Sequence, residues 1–168
     1  RFCISLCLVA VIALLPAAAS AQWFEDFDSY PAGSGLHGVG GWRGWNADPA
    51  ADAYVSDLYS RSAPNSVEIT TTSDIVHSFN GYTSGVWEFV AWQYIPTDFT
   101  GETYFILLNT YVINGDQNWS VQVHFTNGQV ITDSIGGETL PWITGEWVEI
   151  RVIIDLELDT QVFMYGGD

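Results

Sequence analysis

The stretch Gly145–Gly167, GEWVEIRVIIDLELDTQVFMYGG, predicts two β-strands joined by an acidic turn. From Val148 to Ile154 every second residue is apolar, and the residues between them include Glu149 and Arg151. This two-residue period is typical of a strand that buries one face and exposes the other. The stretch therefore predicts a pair of strands with one apolar face, as in the sheets of a β-sandwich.

Similar short segments, separated by turn residues, recur along most of the chain. No segment after residue 21 has helical periodicity. The pair Asn127-Gly128 is a strong hairpin signal, because a two-residue type I′ turn needs positive φ at both positions. We therefore expect an all-β fold, an antiparallel β-sandwich. The predicted strands are Trp23–Phe27, Ser66–Thr70, Asp74–Phe79, Gly85–Ile95, Glu102–Val112, Trp119–Thr126, Gln129–Asp133, Glu146–Leu156 and Gln161–Tyr165.

Residues 1–21 have the composition of a signal peptide that is removed on export. Ile4 to Leu15 form an almost unbroken apolar run, and Ala19-Ser20-Ala21 has the small-x-small form of a signal-peptidase site. A transmembrane anchor is the alternative, but the run is shorter than the ~20 residues needed to cross a bilayer. We expect a secreted, extracellular protein without membrane insertion after cleavage, whose single domain spans residues 22–168.

The domain contains no thiol, because both cysteines, Cys3 and Cys7, lie in the leader. Disulfides and cysteine-ligated metal sites are therefore unavailable to it. A domain of this length can be stabilised by one hydrophobic core instead.

The chain is strongly acidic. It contains 20 Asp and Glu residues against 4 Lys and Arg, which gives a formal net charge of −16. Such a surface repels nucleic acid and anionic lipid, and it disfavours polyanionic glycans such as alginate or pectate. A neutral or cation-bridged polysaccharide is easier to accommodate, although the acidity can also simply keep an exported protein soluble.

Several phrases resemble one superfamily. WVEIRVIIDL and DTQVFMYGG near the C-terminus, FEDFDSYPAG at Phe24–Gly33, and the S-x-P-x-S-V-x-I pattern at Ser62–Ile69 resemble exported, bacterial-type modules of the concanavalin A-like lectin/glucanase (laminin-G-like) superfamily. The resemblance implies a jelly-roll β-sandwich that places ligands, mostly sugars, on its concave sheet. In the family further strands normally follow a turn such as Gly166-Gly167, so we expect the domain to be truncated at its C-terminus.

Tryptophans provide the candidate sugar-binding residues. The segment Tyr30–Asp57 is rich in glycine and reads as a long loop, and it contains Trp42 and Trp45. Aromatic rings offer large contact areas at low entropic cost, and sugar rings stack their C–H faces on them. We expect Trp42 and Trp45 to be exposed together, and Trp92 to share an exposed strand face with polar residues. The alternative for each tryptophan is a place in the core.

The predicted strand Trp119–Thr126 alternates between an apolar and a polar face. We expect the apolar face, which carries Trp119, Val121, Val123 and Phe125, to point into the core. Ser120, Gln122, His124 and Thr126 then point to the other side, and we assign Gln122 and His124 to the ligand-binding surface.

Catalysis is the alternative to binding. Gln122-Val123-His124 resembles the Q-[IV]-H signature of alginate-lyase-type sandwiches, which implies a Gln that neutralises a substrate carboxylate and a His that removes a proton. The arginine-rich first-strand motif of those enzymes is missing, and the chain has no lysine for their C-terminal tyrosine motif. The E-x-D-x-x-E pattern of laminarinase-type glucanases is also missing, although retaining glycosidases need two carboxylates about 5 Å apart. We therefore favour a non-catalytic, lectin-like module for a neutral glycan, with a structural or adhesive surface domain as the third hypothesis.

The resemblance also implies a Ca²⁺ site where an early acidic strand meets a late one. Glu25, Asp26 and Asp155 are the candidate ligands, since hard cations prefer several carboxylate and carbonyl oxygens. No other cofactor is expected.

Overall fold

The computed structural model describes residues 23–126, 128–132 and 137–167, which form an all-β protein. Two short 3₁₀ turns, Trp45–Ala47 and Pro49–Ala51, interrupt the strands. No helix in these ranges is long and apolar enough to cross a membrane. The strands are β1 (Trp42–Gly44), β2 (Tyr54–Ser56), β3 (Ser66–Glu68), β4 (Ile75–His77), β5 (Val86–Tyr94), β6 (Glu102–Tyr111), β7 (Gln117–Thr126), β8 (Gln129–Ile131), β9 (Thr139–Pro141), β10 (Trp147–Asp155) and β11 (Thr160–Tyr165).

Two larger antiparallel sheets make up most of the molecule. One has the strand order β11-β10-β5 and the other the order β6-β7-β8-β9. Two smaller sheets, β1-β4 and β2-β3, lie in the N-terminal part of the described chain. Every strand pairing is antiparallel, which confirms that part of the prediction.

The two larger sheets share one hydrophobic core. Val148, Ile150 and Val152 of β10 are buried against residues of the four-stranded sheet. Phe125 is fully buried and belongs to that sheet. The predicted alternation of β10 is thus confirmed, and the arrangement is consistent with a β-sandwich. The remaining core members are Ile95, Val121, Val123, Val130 and Tyr165.

Alternation also decides which side chains leave the core on the three-stranded sheet. Phe89 of β5 lies opposite the buried Val152. Its neighbours Glu88 and Val90 are exposed, and so is Trp92. Since successive side chains of a strand point to opposite faces, β5 presents a mixed polar and aromatic outer face, as predicted.

The predicted hairpin between β7 and β8 is present. Thr126 lies opposite Gln129, so two residues connect the strands. Gly128 has φ 76°, as a tight hairpin turn requires. Asn127 lies outside the described residues, as do the predicted leader and Asp133 at the end of the expected β8 segment.

The prediction of a strand at Trp23–Phe27 is wrong. Glu25 Oε1 accepts a hydrogen bond from the Phe27 N–H at 2.9 Å, and Asp26 Oδ1 accepts one from the Asp28 N–H at 3.0 Å. Phe27 itself has φ 64°. These local side-chain-to-backbone bonds stabilise turns in place of a strand ladder.

Two other segments also differ from expectation. The span Tyr30–Asp57 is not a single loop, because it contains β1 and β2. The strand β9, Thr139–Pro141, was not predicted, because its three residues are too few to show a period and include a proline.

The prediction that Trp119 points into the core is wrong. The pairing of β6 with β7 shifts between Leu107 and Leu108 and again between Leu108 and Thr110, and Trp119 lies at this irregularity. Its side chain is 44% exposed. A bulge re-aims the side chains beside it, which two-residue periodicity does not reveal.

The shared core predicts which substitution unfolds the domain. Phe125→Ala should lower the free energy of unfolding by about 3–5 kcal/mol, because it leaves a cavity between the sheets. Val162→Ala is the control, since Val162 is 53% exposed on β11. Urea denaturation followed by tryptophan fluorescence measures both, and equal losses would contradict the assignment of Phe125 to the core.

Candidate functional site

Trp45 and Trp119 form a stacked aromatic pair. Their ring centroids are 5.5 Å apart with an interplanar angle of 22°. Tyr111 contacts the ring of Trp45, with centroids 4.8 Å apart. Trp45 comes from the turn after β1, whereas Trp119 and Tyr111 come from β7 and β6. We call these three residues the aromatic platform.

The backbone around Asn46 fixes the aromatic platform. The Asn46 N–H donates to the Tyr111 hydroxyl at 2.8 Å, and Asn46 Oδ1 accepts from the Asn114 N–H at 2.8 Å. Asn46 and Asn114 have φ values of 53° and 54°, a conformation that asparagine tolerates better than most residues. The turn that carries Trp45 is therefore tied to the β6–β7 hairpin, so the ring of Trp45 is held in place.

The aromatic platform has the properties of a sugar-stacking surface. Trp119 is exposed, and its partner Trp45 is half-buried. A fixed ring loses little conformational entropy when it binds a ligand. Large aromatic faces with nearby amide groups suit ligands that have both apolar C–H faces and hydroxyls.

Trp42 does not join this platform. Its ring packs against Trp23, Phe27 and His77, with centroid distances of 6.0, 5.7 and 5.0 Å. Burial in this cluster lowers the pKa of His77. Trp42 and Trp45 are close in sequence but contact different partners, so the structure does not bring the two together as one binding surface.

Trp92 lies on the outer face of the three-stranded sheet. The guanidinium carbon of Arg61 is 3.7 Å from the centre of its ring. Directly opposite Trp92 on β10 is Glu149. A cavity of about 370 Å³ opens beside them, lined by Trp92, Ile143, Glu146, Trp147, Val148, Glu149, Gly166 and Gly167.

Ion pairs organise the charges on this outer face. Arg151 Nε donates to Glu149 Oε1 at 2.6 Å, and its Nη1 pairs with Glu88. The hydrogen bond from Arg151 lowers the pKa of Glu149, and Arg61 contributes in the same direction. Glu149 is therefore held as a carboxylate next to Trp92.

Gln122 and His124 lie on β7, on the face opposite Val121 and Val123, as predicted. His124 Nε2 is 2.9 Å from Glu102 Oε2. The imidazole also stacks on Tyr104, with ring centroids 4.3 Å apart and planes 7° from parallel.

This group on the four-stranded sheet combines an acid, an imidazole and a phenol. Desolvation raises the pKa of Tyr104, and the charge of the nearby Glu102 raises it further. Tyr104 therefore remains a neutral hydrogen-bond donor at physiological pH. The arrangement holds the His124 ring in one orientation, because both a carboxylate and an aromatic face contact it.

The predicted Ca²⁺ ligands make local hydrogen bonds. Glu25 Oε2 accepts from the Tyr30 hydroxyl at 2.8 Å, and Asp155 Oδ1 accepts from the backbone N–H groups of Glu157 and Leu158 at 2.9 and 3.0 Å. Within residues 23–126, 128–132 and 137–167, no group of three or more His, Cys, Asp or Glu side chains is placed to hold a metal.

Sequence reasoning did not assign Trp119, Tyr111, Tyr104, Glu102 or Arg61 to a site. The sequence did contain a signal for Tyr104. A hairpin turn at Asn114 predicts that residues at equal distances before and after the turn lie opposite each other on the two strands. That rule places Tyr104 opposite His124, as observed. The contact of Arg61 with Trp92 joins segments 31 residues apart and has no local signal.

Comparisons with known proteins give no family for this chain. No protein-family model matches it, and no curated protein or solved structure matches it either. The candidate site is therefore defined by the side chains described above.

Trp42 and Trp119 should respond differently to truncation of their side chains. Trp42→Ala should lower the free energy of unfolding by about 2–4 kcal/mol, because the side chain fills an aromatic cluster. Trp119→Ala is the matched control and should cost less than about 1 kcal/mol, since that ring is exposed. Chemical denaturation of both variants tests this, and a larger loss for Trp119→Ala would contradict the assignment of Trp42 to a structural cluster.

Proposed function

We propose that this protein is an extracellular carbohydrate-binding module, lectin-like and non-catalytic, that recognises a neutral glycan. The observation that carries the proposal is the stacked pair of Trp45 and Trp119, held by the hydrogen bonds of Asn46. A sugar ring laid on Trp119 would meet a fixed aromatic face. Of the predicted candidates, Trp45 is retained in this site and Trp42 is assigned a structural role.

Charge supports a neutral ligand. The chain has a net charge of −16 and no lysine, so a polyanion approaching it meets repulsion over most of the surface. Nucleic acids are unfavourable partners for the same reason.

The finer classification is also a proposal. Two packed antiparallel sheets and the sequence phrases at Phe24–Gly33 and Gly145–Gly167 support a concanavalin A-like jelly roll. The apolar run and small-x-small pattern in residues 1–21 support secretion. A role for Ca²⁺ at Glu25, Asp26 and Asp155 remains a proposal from the resemblance.

Removing the aromatic platform should strongly weaken glycan binding without unfolding the protein. Trp45→Ala with Trp119→Ala should reduce retention on an immobilised neutral polysaccharide by at least about tenfold, as expected when stacked aromatic anchors are lost. A panel of cellulose, xylan, mannan and mixed-linkage glucan in affinity electrophoresis identifies the ligand. Leu158→Ala is the control, because Leu158 is 72% exposed in the turn after β10.

Unchanged retention of the double variant would reject the aromatic platform as the site. If the unaltered protein binds none of the polysaccharides, a structural or adhesive role without a small ligand is the better account.

A second candidate function is favoured by the group on the four-stranded sheet. His124, Tyr104 and Glu102 converge on one face, and Gln122 lies on the same face of β7. An imidazole near a phenol can remove and return protons, as a polysaccharide lyase requires.

The lyase alternative predicts new unsaturated sugar ends. Incubation with polyuronates should then raise ultraviolet absorbance, and His124→Ala should reduce the rate by about 10²-fold or more, as expected for loss of a general base. Gln129→Ala is the control, since Gln129 is exposed on the neighbouring β8. No absorbance change with the unaltered protein would reject this alternative.

A further inference from the structure

The cavity beside Trp92 is a second candidate binding surface, and it lies on the three-stranded sheet. Two tryptophans, Trp92 and Trp147, form part of its lining, and Glu146 and Glu149 contribute two carboxylates. Its volume of about 370 Å³ falls within the range typical of small-ligand sites. The glycines Gly166 and Gly167 leave this part of the lining free of side-chain bulk.

The contact of Arg61 with Trp92 indicates that this surface favours a cationic group. Its guanidinium carbon is 3.7 Å from the centre of the Trp92 ring, which is a cation–π contact. Two residues earlier, Tyr59 stacks on Tyr94 with centroids 4.3 Å apart. The segment that connects β2 to β3 therefore lies across the sheet and presents its own cation to Trp92.

The negative charge of the cavity is not fully compensated by the nearby cations. Glu149 is paired with Arg151, but the carboxylate of Glu146 makes no ion pair with any described residue. The lining residues include two acidic side chains, Glu146 and Glu149, and no cationic one, so the lining itself has a net negative charge.

We propose that this cavity binds the protonated amine of an amino sugar within a glycan. The sugar ring would lie against Trp92 and Trp147, and its ammonium would meet Glu146 and Glu149. Arg61 would act as an internal competitor for the face of Trp92. The inference rests on the proposed function in that the ligand is a glycan, but it requires a cationic amino-sugar unit at this cavity, whereas the aromatic platform binds neutral sugar units.

Two oligosaccharides that differ in the acetylation of their amines separate the effect of charge from the effect of the sugar rings. The probes are glucosamine hexasaccharide and its fully N-acetylated form, titrated by calorimetry at a pH where the amine is protonated. We expect the amine form to bind at least about threefold more tightly, and this advantage to shrink in high salt because exposed charges are screened. Equal affinities for the two forms would overturn the proposal.

Two substitutions that change the charge of the cavity in opposite directions test the roles of Glu146 and Arg61. Glu146→Gln should weaken binding of the amine form by about threefold, whereas Arg61→Gln should strengthen it by a similar factor, since the competing cation is removed. Glu157→Gln and Arg43→Gln change the net charge equally, away from the lining residues, and should leave affinity unchanged. Weaker binding by Arg61→Gln, or equal effects of the controls, would overturn the cavity as the site.

The two proposals fail separately. Loss of neutral-glycan binding in Trp45→Ala with Trp119→Ala reports on the aromatic platform, whereas the difference between amine and N-acetyl forms reports on the cavity. Binding of a lysine-rich peptide in place of the amino-sugar oligosaccharide would reject the glycan as ligand. A protein that binds neither hexasaccharide contradicts the inference, and its response to the neutral polysaccharides still decides the proposed function.

Discussion

The packing of two antiparallel sheets through alternating apolar side chains is the constraint on which the rest of this structure depends. β10 contributes Val148, Ile150 and Val152 to the shared core, and β7 contributes Val121 and Val123. In a strand the neighbours of a buried residue point the other way. Burial of these residues therefore places Glu149 and Arg151 on one outer face, and Gln122 and His124 on the other.

The aromatic platform comes from a departure from this regularity. The register of β6 and β7 shifts next to Trp119, whose ring then stacks on Trp45 from the turn after β1. Asn46, with its left-handed backbone and two hydrogen bonds to the hairpin, keeps the turn in position. Local irregularities of this kind are common near functional sites, because they re-aim side chains that a regular strand would bury.

Much of the fold was predictable, because alternation and turn chemistry are local signals. The β10–β11 pair, the β7–β8 hairpin and the outward faces of β5 and β7 followed from periods of two residues. The strand predicted at Trp23–Phe27 failed since two acidic side chains bind the backbone there. β9 is too short to carry a pattern.

The candidate sites were less predictable, because they depend on contacts between distant segments. Trp42 and Trp45 share a glycine-rich stretch, yet one packs with His77 and the other with Trp119. The short distance between them in the sequence did not indicate that the two rings have different packing partners. Arg61 lies between β2 and β3 and contacts Trp92 on β5. The net charge of the whole chain does not reveal such a contact.

The most direct test of this account is to follow the indole N–H signals of the eight tryptophans by nuclear magnetic resonance while a neutral oligosaccharide is added. The account predicts that the signals of Trp45 and Trp119 shift in a saturable way. The signal of Trp42, inside its aromatic cluster, should remain unchanged. Shifts confined to Trp42, or a saturable response that spares Trp45 and Trp119, would contradict the assignment of the glycan site to the aromatic platform.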